Sequence, residues 1–123
     1  MKPNLSKQEV LNLIASFRGD PLSERGRLAG AFILAYVKTN PAVIVQYTPR
    51  VLPISDDNGL ADEDRGTLMA AYAAGNVQSQ LSRRKAGDDP YTGDLQLIET
   101  YRKLQRRNSK LKLPPVEKLD ELE

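Results

Sequence analysis

The 123-residue chain contains no cysteine and no histidine. The first absence excludes disulfides, thiolate nucleophiles and cysteine-based zinc sites, and it leaves the compartment open. The second removes the commonest general base and the commonest metal ligand. Tryptophan is also missing and aromatic residues make up only 6% of the chain, so a core has to rest on Leu, Val, Ile and Ala. No apolar run reaches the roughly 18 residues that cross a bilayer. The opening stretch MKPNLSKQEV has no apolar run behind its charge, so no secretory signal is expected there. A cytoplasmic protein without membrane contact is the expectation.

What is present reads as globular. The length suits one domain that buries its core without staples, and 40% apolar with 28% charged residues is ordinary folded composition. The net charge of +2 is unevenly spread: residues 83–112 hold nine bases and four acids, while residues 113–123 hold one base and four acids. That basic third is the one sizeable electrostatic feature.

Helical signals dominate. Ser6 and Glu9 have capping-box spacing, and Val10, Leu13, Ile14 and Phe17 fall on one face. Asp20 and Pro21 suit the N-cap and first position of a second helix, with Leu28, Phe32 and Tyr36 as a stripe. Gly26, Ala29 and Gly30 form a small-residue patch suited to close packing, within the chain or between subunits. Acids at 62–64 and bases at 83–85 fit the dipole of a third long helix, in which Gly75–Asn76 is the weak point. Asp89 and Pro90 open another, with Leu97, Ile98, Tyr101 and Leu104 inward. The stretch from Asn40 to Ile54 is ambiguous. A short buried helix followed by extended chain is favoured, and a β-hairpin over residues 43–54 is the alternative. The expectation is an all-α bundle of four to five helices over residues 1–110, with 111–123 as a flexible, acidic, proline-containing tail.

Catalytic chemistry finds little support. If Gly59 is the sixth residue of a calcium loop, Ile54 takes the first position and Arg65 the twelfth, where ligands are required. The cluster SDDNGLADED therefore reads as a polar turn and an acidic helix start. Carboxylate pairs such as Asp56 with Asp62, or Glu63 with Asp64, sit in a segment expected to be exposed, with nothing to tune them. Phosphate-loop, dinucleotide and serine-elbow patterns are absent. No enzyme activity, metal or cofactor is expected. Tyr72, Asn76, Ser79 and Arg83 share one side of the third helix. They read as its solvent face, with a ligand-binding line as the alternative.

The segment AAGNVQSQLSRRKAG resembles the turn and second helix of phage-repressor-type helix-turn-helix domains. The resemblance lies in Gly75, Gln78, Ser79, Leu81, Ser82 and Arg83, with Gly87 as the stop. It implies DNA binding, with Gln paired to adenine edges and Arg to guanine or phosphate. One departure is Arg84, which stands where that family buries an apolar residue; another is the length of the preceding helix. Two functions follow: a non-enzymatic helical protein acting through protein partners or self-association, and, as the alternative, a DNA-binding regulator. For either, the candidate contact residues are Gln78, Gln80, Arg83, Arg84, Lys85, Arg102, Arg106 and Arg107.

Overall fold

Ser6 opens the first helix in the manner its spacing predicts. Its hydroxyl accepts the Glu9 N–H at 3.1 Å, and the Glu9 carboxylate accepts the Ser6 N–H at 2.9 Å. Two orphan donors of the helix start are thereby satisfied. The structure is a computed structural model that describes residues 5–54 and 60–122. In it α1 spans Lys7–Gly19 and buries Val10, Ile14 and Phe17.

The second helix, α2, spans Glu24–Thr39 and starts later than expected. Ser23 is the N-cap: its hydroxyl accepts the Gly26 N–H at 3.0 Å and donates to the Asp20 carbonyl at 2.8 Å. Asp20 and Pro21 belong to the turn before it. The cause is close packing, since a methyl group on Gly26 would overlap the Asp20 carbonyl. The face turned inward carries Gly26, Ala29, Gly30, Ile33 and Tyr36. Leu28 and Phe32, expected beside Tyr36 in one stripe, point away from it.

The central element is α3, Asp62–Arg83, 22 residues without interruption at Gly75. It lends different faces to two apolar clusters. Ala70, Ala71, Ala73, Ala74, Val77 and Leu81 pack with the inward residues of α1 and α2. Leu68 and Tyr72 pack with Leu97, Tyr101 and Leu104 of α4, which spans Pro90–Arg107. Asp89 caps α4, accepting the Thr92 N–H at 3.3 Å, and Pro90 holds the first position as predicted. Helices α3 and α4 run antiparallel and very close. Gly75 faces Thr92 and Gln96, and Gly93 faces the Tyr72 ring.

Two expectations change. Residues 43–48 form neither the favoured short helix nor the alternative hairpin; no strand exists among the described residues. They run as an extended strap, with Val43 buried in the first cluster and Leu52 and Ile54 in the second. The segment expected as a flexible tail folds as α5, Pro114–Leu122, against α4. Leu113 and Val116 are buried there. The prolines of the expected tail, Pro114 and Pro115, open a helix instead, where a missing N–H costs little.

Candidate functional site

Of the polar line on α3, Tyr72 and Asn76 are buried and Ser79 half-buried, and only Arg83 is exposed. Asn76 and Gln80 are 0% and 1% exposed, and the strap and the α3–α4 connection close over them. The Gln80 carboxamide accepts the Ile44 N–H at 2.9 Å and the Gly87 N–H at 2.9 Å. It donates to the Ile44 carbonyl at 2.6 Å and to Asn76 Oδ1 at 2.6 Å. Asn76 donates to Asp88 Oδ1 at 2.8 Å and accepts the Asp89 N–H at 2.9 Å. Asp88 also accepts the Gln46 N–H at 3.1 Å. Two side chains on one helix thus satisfy backbone groups of two other segments, as buried polar groups require.

Asp89 closes the lower edge of this network. It accepts from the Ser79 hydroxyl at 2.5 Å and the Thr92 hydroxyl at 2.9 Å. Burial works to raise its carboxyl. The Ser79 and Thr92 bonds outweigh that and hold it below the usual aspartate value. Burial also drives the Tyr72 phenol well above its ordinary range, and the nearby Asp88 and Asp94 charges add to the shift.

These positions take Gln80 out of the predicted contact set. The helix break that a helix-turn-helix needs is missing, and Gln80 is sealed inside. Gln78 is half-buried and accepts from Arg18 at 3.1 Å. Arg83 is exposed but turned back, donating to the Ser79 and Gly87 carbonyls at 3.4 and 3.3 Å, with Asp89 3.9 Å away. The stop is Arg84 rather than Gly87. Arg84 takes the left-handed conformation, φ 56°, and its N–H and that of Lys85 return to the Leu81 and Gln80 carbonyls.

The structure also divides the basic third. Arg83, Arg84 and Lys85 lie beside the start of α4. Arg102, Arg106 and Arg107 are exposed at its far end, roughly 18–25 Å along the axis at 1.5 Å per residue. They do not form one patch. Of the calcium-like cluster, residues 55–59 lie outside the described residues. No group of three potential metal-ligating side chains occurs among the described residues. No helix there is long and apolar enough to cross a membrane.

One surface was not anticipated from the sequence. Leu28 and Phe32 stand one turn apart on the outer face of α2, 60% and 37% exposed. Phe32 borders a hollow of about 300 Å³ between α1 and α2, lined also by Leu5, Glu9, Asn12, Leu13 and Ser16. The signal was available in the small-residue patch. Gly26 and Gly30 mark the close-packed side, so large residues half a turn away must face out. Compared with protein-family models, curated proteins and solved structures, the chain matches none.

Proposed function

We propose that this chain is a non-enzymatic helical protein that works by binding protein, with the outer face of α2 as the contact. The observation that carries this reading is the exposed Leu28–Phe32 pair beside a hollow of mixed apolar and polar lining. Large side chains of this kind, clustered on one helix face, are what a partner helix covers. A second copy of the chain supplies a matching surface, because two-fold pairing sets the same patch against itself. The small-residue patch is not available for this role. Gly30 already packs on Phe17 and Ala70, and Gly26 on the turn before α2. The non-catalytic part of the proposal is supported by the polar network, whose Gln80 and Asn76 groups are taken up by backbone, by each other and by Asp88.

Sedimentation velocity over a wide concentration range tests it. The wild type is expected to dimerise as concentration rises. Leu28→Glu/Phe32→Glu, altered only at exposed positions, is expected to keep its helical circular dichroism and stay monomeric. A wild type that remains monomeric into the millimolar range counts against this contact.

A further inference from the structure

The far end of α4 is a different surface. Arg102, Lys103, Arg106 and Arg107 are followed by Lys110 and Lys112, with no acid between Glu99 and Glu117. Two of these cations are fixed by neutral groups. The Lys103 ammonium donates to the Arg18 carbonyl at 2.9 Å, and the Arg107 guanidinium to the Leu22 carbonyl at 3.5 Å. Those bonds bring Arg18 and the α1–α2 turn up to the group.

Counter-charge here is small. Glu99 stands 3.9 Å from Arg18. Glu117 accepts from Tyr101 and Gln105 and feels Lys112 and Arg102. Asp20 lies in the adjoining turn. The C-terminal ends of α1 and α4 contribute about half a negative charge each. Arg102 has interactions of its own; the other six cations against three carboxylates and the two dipoles leave about two positive charges uncompensated. No ion pair among the described residues includes Lys103, Arg106, Arg107 or Lys110.

We propose that this basic end of α4 binds the phosphate backbone of duplex nucleic acid without reading its sequence. A duplex presents a charge every ~1.7 Å of its axis, dense enough to engage cations spread along this helix end. Guanidinium groups match phosphate oxygens in paired geometry. An acidic protein partner fits less well, because protein contacts centre on apolar anchors and the apolar neighbours Tyr101 and Leu104 are buried. Single strands want exposed aromatic platforms. The exposed aromatic on this helix, Tyr91, sits at its opposite end.

The test is fluorescence anisotropy of a labelled random duplex titrated with the full chain at low and near-physiological salt. Binding is expected at low salt and should weaken steeply as salt rises. Arg106→Glu/Lys110→Glu should lower affinity by about tenfold or more. Arg84→Glu/Lys85→Glu, at the other end of the helix, should change it by less than about twofold. Absence of binding at low salt, or equal losses from both double variants, overturns the proposal. Labelled polyglutamate is the second probe. If it binds as tightly as the duplex, the surface takes acidic polypeptide and the proposal also fails.

Discussion

Gln80 pairs with Ile44 as a neighbouring strand would, giving and taking one hydrogen bond across 36 positions of sequence. The strap therefore has a ladder partner made of a side chain. Replacing Gln80 with Leu leaves the Ile44 and Gly87 donors unmet in a part-buried setting, at a cost of roughly 1–3 kcal/mol. Urea denaturation measures this. A loss below about 1 kcal/mol would mean that Val43 and Leu52 hold the strap without help.

Two glycines on α3 should respond in opposite directions to the same change. Alanine ordinarily gains up to about 1 kcal/mol over glycine in a helix interior. A Cβ on Gly66 meets nothing within 4 Å, so Gly66→Ala should show that gain. A Cβ on Gly75 lies 2.5 Å from the Thr92 carbonyl oxygen and 2.9 Å from the Gln96 Cβ. Gly75→Ala must push α4 away and should cost about 1–3 kcal/mol. Thermal melts of the two variants moving together would contradict the close α3–α4 approach.

Arg84 ends α3 in a conformation that L-residues adopt at a cost. Arg84→Gly relieves it and should stabilise the chain by roughly 0.5–1 kcal/mol. Its side chain is exposed, so little packing is lost. An unchanged or lowered melting temperature would show that the guanidinium contributes something the geometry does not reveal.

Alkali should loosen α5. The Tyr101 hydroxyl donates to Glu117 at 2.7 Å and accepts the Leu113 N–H at 2.7 Å. Burial, with the Glu117 bond behind it, pushes the phenol up to about 12. A group raised in the fold gives stability that is complete below its ordinary value of 10 and is lost as pH climbs from 10 toward 12. Tyr47 is pushed up to about 12 by burial as well and adds to the same limb. Tyr101→Phe should therefore flatten the alkaline fall in stability without abolishing it. Identical tyrosinate titrations for wild type and variant would remove Tyr101 from this role.

Local signals carried well where one residue decides the outcome. Ser6 with Glu9, and Asp89 with Pro90, sit where their chemistry puts them. Signals failed where distant packing chose between acceptable local answers. Asp20–Pro21 is a sound helix start, yet Gly26 must seat against the Asp20 carbonyl, so Ser23 takes the cap. Val43 and Ile44 suit a strand, but their partner is an amide on a helix, which no pairing rule anticipates. The α2 sequence is apolar nearly all round, so its period does not say which large residues face outward. The separation of Arg83–Lys85 from Arg102–Arg107 follows from helix length alone and was readable. The exposure of Leu28 and Phe32 required knowing that glycines mark the inner side.

The sharing of α3 between both apolar clusters also bears on how the chain can be divided. Neither α1–α2 nor α4–α5 has a complete interior without it, and Val45 of the strap touches both clusters. Fragments cut on either side of α3 should stay unfolded alone and regain structure only when mixed. The intact chain should unfold in a single cooperative step, with the strap and α5 exchanging their amide hydrogens soonest.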